Sequence, residues 1–208
     1  MEQGAGTGAA TGRAQRGRPR AYDLDQVLRA SVQVFCERGL HGTSIMDLAG
    51  ATGLTTGSLY KAFADKDAMY RASLEWQSSQ REAELRERLD TGTTGLDKLR
   101  AVLEFIADLS SGPAGHEGCL VVETTVGIGA RDAGIGEVAT RVLERRRALL
   151  VELIELGRAD GSVRTDVDSG AVAATLLCLT QGMRVVGKTG PAPEAMASVV
   201  SVALTLLT

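Results

Sequence analysis

The sequence predicts an all-α protein on three observations. Alanine (28 residues) and leucine (25) are among the commonest residue types, and both favour helix. Four prolines, Pro19, Pro113, Pro191 and Pro193, leave two long stretches, 20–112 and 114–190, where helices can run unbroken. Alternating β-branched and aromatic runs, the mark of strands, are missing. With 208 residues, 44% of them apolar and 24% charged, the chain suits one or two folded domains, and wholesale disorder is excluded.

Each element follows from its own punctuation. Residues 1–20 are mostly Gly, Ala, Thr and Arg without apolar periodicity and read as a disordered arm. A first helix is expected from Leu24 to Arg38, with Leu24, Val27, Leu28, Val34 and Phe35 on one side and Gly39 as its stop. A short helix follows, capped by Thr43 or Ser44, with Ile45, Leu48 and Ala49 inward and Gly53 closing it. Another starts at Thr55 or Thr56 and turns Leu59 and Phe63, four residues apart, inward. A long helix runs from about Asp65 to Leu89, and its charged second half marks a solvated connecting strut. Further helices are expected at 96–110, 119–129, 134–159, 168–187 and 193–207, punctuated by Ser111-Gly-Pro-Ala-Gly115, Gly161 with Asp166, and Gly190-Pro-Ala-Pro193.

Composition also narrows function. The longest apolar stretches fall short of the ~20 residues that span a bilayer, and the N-terminus lacks the apolar core of a signal peptide, so a cytoplasmic protein with no membrane partner is expected. Three cysteines without a C-x-x-C pair, and only His41 and His116, suit a reduced compartment with no structural metal; no cofactor is expected. The net charge of −3 argues against a polyanionic partner, but its distribution does not. Residues 1–21 carry Arg13, Arg16, Arg18 and Arg20 against Glu2, a basic tail on a mildly acidic body, which points to one localised anion contact.

That contact has a candidate. Two very short helices in tandem across a Gly53-Leu54 turn are what a helix-turn-helix needs. The second must enter a major groove ~12 Å wide, so its outer face needs small or polar residues. Thr55, Thr56, Ser58, Tyr60 and Lys61 offer donors there, and Gly57 allows close approach although it should cost ~1 kcal/mol inside a helix.

The run Val32–Trp76, above all Gly39-Leu-His-Gly-Thr-Ser44 and Gly53-Leu-Thr-Thr-Gly-Ser-Leu-Tyr-Lys-Ala-Phe63-Ala-Asp-Lys66, resembles the DNA-binding domain of the TetR family of transcriptional regulators. The resemblance implies a helix-turn-helix domain over 21–66 and a helical ligand-binding and dimerisation domain over 67–208. It implies that Tyr60 and Lys66 hold phosphates, and that Thr43 and Ser44 present the second helix's N-terminus to another. Thr55, Thr56, Gly57, Ser58 and Lys61 would face the bases, Lys61 donating to a guanine edge and Thr56 touching a thymine methyl. Repression relieved by a small-molecule inducer is the mechanism it implies.

Further readings attach to particular residues. Arg16-Gly-Arg-Pro-Arg20 resembles the core of an AT-hook, whose arginines enter a narrow A·T-rich minor groove. His116-Glu117-Gly118-Cys119 reads as a helix boundary beside a core cysteine, as a reactive thiolate, or as part of a metal site; Gly-Cys-Leu-Val here also resembles a TetR subgroup with sensing cysteines. A Cys119 nucleophile with His116 as base would be the enzymatic alternative, but no third orienting group is evident. Cys36 and Cys178 read as core residues. A homodimer on a palindromic duplex is expected to pair the last two helices through Ala171, Val172, Thr175, Leu176 and Leu179 with Val199, Val202, Ala203 and Leu206. An inducer pocket is expected beside the body-proximal half of the long helix, lined by Phe105, Cys119, Val122, Glu123, Val126 and Met183, mostly aliphatic and suited to a small apolar or amphipathic molecule.

Overall fold

The computed structural model describes residues 22–128 and 132–208. The arm with Arg16, Arg18 and Arg20 lies outside the described residues. Among those described, ten α-helices and one π-helical turn occur, and no strand.

One longer and two short helices make the head. In α1 (Leu24–Gly42), Asp23 accepts from the Asp25 amide, and Gly39, at φ 67°, breaks the regular backbone before the end. Helix α2 (Ile45–Thr52) opens on a reciprocal capping box: the Ser44 hydroxyl accepts from the Asp47 amide at 3.1 Å, and the Asp47 carboxylate accepts from the Ser44 amide at 2.9 Å. Gly53 closes it in the left-handed region, φ 68°, a turn that favours glycine. Helix α3 (Thr56–Ala62) starts on the Thr55 cap. Leu48 and Leu59 join Val27, Phe35 and Leu40 of α1 in the core behind it, and Phe35 meets Tyr70 edge-to-face with centroids 4.9 Å apart.

The long α4 (Lys66–Leu89) leaves the head and continues along the body without a break. Around it pack α5 (Gly95–Leu109), α6 (Gly112–Glu117), the single turn α7 (Leu120–Glu123) with the π-helical turn Thr124–Ile128, α8 (Ala133–Asp160), α9 (Ser169–Gly187) and α10 (Pro193–Leu204). Helix α6 and the broken 119–128 segment depart from the expected pattern. Pro113 at the first turn begins a helix rather than only ending one, because its missing N–H is an orphan there in any case. On length and hydropathy α9 would suit a membrane span, but Ala173, Leu176 and Met183 bury it in the body core.

Burial falls into two clusters. One holds the head core and extends into Leu120 and Val121 of α7 and Ile135, Val138 and Val142 of α8; the Tyr70 and Thr124 hydroxyls share a 3.0 Å hydrogen bond within it. The other gathers α5, α9, α10 and the later half of α8, from Leu150 to Ile154. Helices α4 and α8 run through both. Where α5 and α8 cross, a Cβ on Gly95 would strike the Gly157 backbone, so the close approach needs glycine at 95, while a Cβ on Gly157 would strike the Val163 side chain.

On the outer face of α9 and α10, Val185, Val186, Val202 and Leu206 are exposed. Leu176 and Ala203, expected on an intersubunit face, are buried in this chain's own core, because each lies on the inner side of its helix. Cys178 is exposed rather than in the core, whereas Cys36 is buried as expected.

Candidate nucleic-acid interface and internal cavity

On α3, Leu59 is fully buried and Phe63 partly so, which turns the opposite side outward. Tyr60 is 54% exposed, Lys61 and Gly57 are exposed, and Thr56 and Ser58 are partly so. A Cβ on Gly57 would meet only the Thr55 hydroxyl at 4.0 Å, so nothing among the described residues requires glycine there. Thr55 caps the helix: its hydroxyl accepts from the Ser58 amide at 3.2 Å and shares a 2.9 Å hydrogen bond with the Ser58 hydroxyl. Two of the expected base-facing hydroxyls thus occupy each other in the free protein.

Two phosphate-binding expectations change. Thr43 is buried, and its hydroxyl donates to the Gly39 carbonyl at 2.6 Å, satisfying a carbonyl freed where α1 breaks; only Ser44 is left at the surface of the α2 N-terminus. Lys66 extends its ammonium to the Leu40 and Thr43 carbonyls, at 2.7 and 2.8 Å, which clamps the end of α1 to the start of α4. Two of its three donors are therefore used inside the head.

The body encloses a cavity of about 270 Å³ between α4, α5, α8 and α9, at the seam between the two buried clusters. It lies beside α4 from Gln77 to Leu89. Phe105 and Cys119 line it, but Val122, Glu123, Val126 and Met183 do not. The π-helical turn takes Val126 off the regular helical register, while Val122 and Glu123 precede it in α7. Val122 packs on the head core, Glu123 pairs with Lys188, and Val126 is 81% exposed, while Met183 belongs to the body core. A second depression of about 510 Å³ beside Ala139 and Arg141 is larger but more open and holds no buried charge, so it is the weaker candidate for a ligand.

The polar lining was missed. One wall is aliphatic, with Leu85, Val102, Ile106 and Leu149 among its residues. Facing it are Ser78 of α4, Arg146 of α8, and Gln181 and Arg184 of α9. Arg184 is only 4% exposed; one of its terminal nitrogens donates to the Gly118 carbonyl at 2.6 Å. Its other terminal nitrogen, the Gln181 amide nitrogen and the Ser78 hydroxyl are buried without a hydrogen-bond partner. The signal was present in the sequence, since Gln181 and Arg184 interrupt an otherwise apolar helix.

These charges also set the state of the cysteines. Burial works to raise the Cys119 thiol, but the Arg146 and Arg184 guanidiniums and the Val122 and Val121 amides outweigh it and hold the group below its ordinary value of 9.0. For Arg184, burial dominates and draws it below its own ordinary value. Cys36, buried and next to Cys119, is pushed up to about 12, chiefly by desolvation. Among the described residues, no group of three or more His, Cys, Asp or Glu is placed to hold a metal.

With this geometry in hand, the chain can be set beside known proteins. A family profile described as "Bacterial regulatory proteins, tetR family" matches residues 27–73, and one described as "Tetracyclin repressor-like, C-terminal domain" matches 95–202. The HTH-type transcriptional repressor KstR2 of Mycolicibacterium smegmatis is 30% identical over 148 residues, 69% of each chain. The HTH-type transcriptional repressor ComR of Escherichia coli is 23% identical over 92% of this chain and 91% of its own. Among solved structures, a cysteine mutant of the TetR family regulator CifR, complexed with a 26 bp double-strand operator, superposes with a TM-score of 0.80 at 26% identity, over 90% of this chain and 98% of that one. The protein belongs to the TetR family and is a DNA-binding transcriptional regulator.

Proposed function

We propose that this protein is a repressor that holds double-stranded operator DNA as a homodimer and releases it when a small molecule fills the cavity. The observation that carries the reading is the position of the cavity: it abuts α4, the helix that begins just after α3 and runs unbroken into the body. A ligand that fits one setting of α4 better than another shifts the two heads between spacings that match the operator and spacings that do not. The relatives named repressors and the operator-bound neighbour support the DNA half of this reading.

In this reading Tyr60, Ser44 and the third proton of Lys66 meet phosphates, while Thr56, Gly57 and Lys61 face base edges, with Thr55 and Ser58 completing the helix end. Dimerisation uses the exposed side of α9 and α10, where Thr175, Val185, Val202 and Leu206 offer small and apolar contacts to a second copy. Duplexes selected from a random pool by the purified protein should share a two-fold sequence with half-sites about one helical turn, ~34 Å, apart. Selection of an asymmetric site by a monomer in sedimentation would overturn the reading.

A second reading rests on the lowered Cys119 thiol: alkylation or oxidation there would insert bulk at the same seam. A Cys119→Ser protein that still releases DNA with a reversible ligand, but no longer with an electrophile, assigns the two inputs separately.

A further inference from the structure

The proposed function leaves open what enters the cavity, and the cavity's own unmet hydrogen bonds constrain the answer. A buried donor without an acceptor costs free energy in the empty protein, and a buried guanidinium without a counter-charge costs more. Three such donors converge here: a terminal nitrogen of Arg184, the Gln181 amide nitrogen and the Ser78 hydroxyl. Gln181 and Arg184 are one turn apart on α9, so their side chains are neighbours on one face. Ser78, 2% exposed, approaches from α4.

The charge around them is unbalanced. Of the five arginines at the cavity, Arg145 is paired with Glu82 at 2.9 Å, and Arg81 with Glu84 at 2.9 Å. Neither Arg146 nor Arg184 has a carboxylate partner among the described residues. Glu82, the one carboxylate among the described lining residues, is taken by Arg145, and the Cys119 sulfur carries at most one charge against the two of Arg146 and Arg184. The space left over is small: about 270 Å³ lies at the lower edge of the ~300–1,000 Å³ usual for ligand sites, and its remaining wall is aliphatic.

Resting on the reading that this cavity holds the effector, we infer that the effector is a small organic monocarboxylate. Its head group lies between Arg184, Gln181 and Ser78, and its short hydrocarbon body lies against Leu85, Ile106 and Leu149. A carboxylate presents acceptors in two directions in one plane, which suits one guanidinium nitrogen, one amide and one hydroxyl. A neutral molecule of the same shape would leave the Arg146 and Arg184 pair with no more than the single charge of Cys119 to balance it.

Titration calorimetry of the full-length protein with straight-chain acids from propionate to decanoate, with benzoate and phenylacetate, tests this. Each acid is paired with its primary amide, and inorganic phosphate is added as a second anion. The fitting acid should bind at least about tenfold more tightly than its amide. Gln181→Leu and Ser78→Ala remove atoms that make no hydrogen bond in the empty protein, so each should melt no lower than the parent while binding the acid roughly tenfold more weakly. Loss of affinity without loss of stability is a result a purely structural role does not produce.

Amides that bind as well as acids overturn the inference, as do acids that bind both variants like the parent, phosphate binding in place of the acids, or a panel in which nothing binds. The operator readout separates this inference from the reading beneath it. Acids that bind selectively yet leave operator affinity unchanged uphold the inference and end the release mechanism. Neutral compounds that release the operator from parent and Gln181→Leu alike do the reverse.

Discussion

On α3, the Tyr60 hydroxyl and the Lys61 ammonium stand in water, whereas on α9 the Arg184 guanidinium and the Gln181 amide stand in an enclosed cavity. Both sites hold donors without protein partners, but the costs differ. A solvated donor keeps its water until DNA displaces it, so the recognition face can be held ready at no expense to folding. A buried donor without a partner costs about 1–3 kcal/mol for as long as the site is empty. Substitutions on α3 should therefore separate binding from stability, while substitutions in the cavity should trade one against the other.

The harshest test removes the support behind the recognition face. Leu59→Ala should cost about 2–5 kcal/mol in urea unfolding and abolish operator binding, because Leu59 fixes α3 to the head core. A loss under 1 kcal/mol would mean that α3 is held some other way. Lys66→Ala should come next, at about 1–3 kcal/mol, since it strips donors from the Leu40 and Thr43 carbonyls. Its salt dependence decides a second question: a slope reduced by about one unit places Lys66 on a phosphate, and an unchanged slope confines it to the clamp.

Smaller effects on folding come from the outward residues. Tyr60→Phe and Lys61→Ala should leave stability within about 0.5 kcal/mol, yet the first should weaken binding to all duplexes and the second should relax preference at one position. A stability change matching Leu59→Ala would show that these residues are packed rather than waiting.

The smallest effect is kinetic and compares the cysteines. The thiolate is the reactive form, so Cys119, held below its ordinary value, should be alkylated at lower pH than Cys36, which at about 12 should resist throughout the neutral range. At Cys119 alone, the anionic reagent iodoacetate should gain on neutral iodoacetamide relative to their rates at Cys178. Peptide mapping by mass spectrometry reads both ratios, and equal ratios at the two sites would remove the electrostatic preference from the cavity.

The head was legible because its rules are local. Gly39 and Gly53 as stops, Ser44 and Thr55 as caps and the Leu59–Phe63 spacing each act within a few residues, and the helices came within a few residues of their expected ends. The cavity was legible only in outline. Phe105 and Cys119 were found, but the expected line from Val122 to Val126 assumed a regular helix that the π-helical turn interrupts. The polar wall escaped because an arginine on a helix is ordinarily solvated; nothing local says that Arg146 and Arg184, 38 positions apart, share one enclosed space. Thr43 and Lys66 show a different limit: the resemblance implies partners outside the molecule, whereas the Thr43 hydroxyl and two of the Lys66 donors are used on backbone carbonyls around the end of α1.

The division of the buried residues into two clusters has a calorimetric consequence. The rods α4 and α8 run through both, α6 and α7 touch α9 at one end, and the cavity removes packing where the rods pass from one cluster to the other. Heating the empty protein should melt the clusters as loosely coupled units, giving a broad endotherm whose van't Hoff enthalpy is smaller than the calorimetric one. A molecule lodged at the seam touches both sides at once, so it should sharpen the transition as well as raise its midpoint. Transition width then reports, without any DNA present, whether an occupant ties the two halves together.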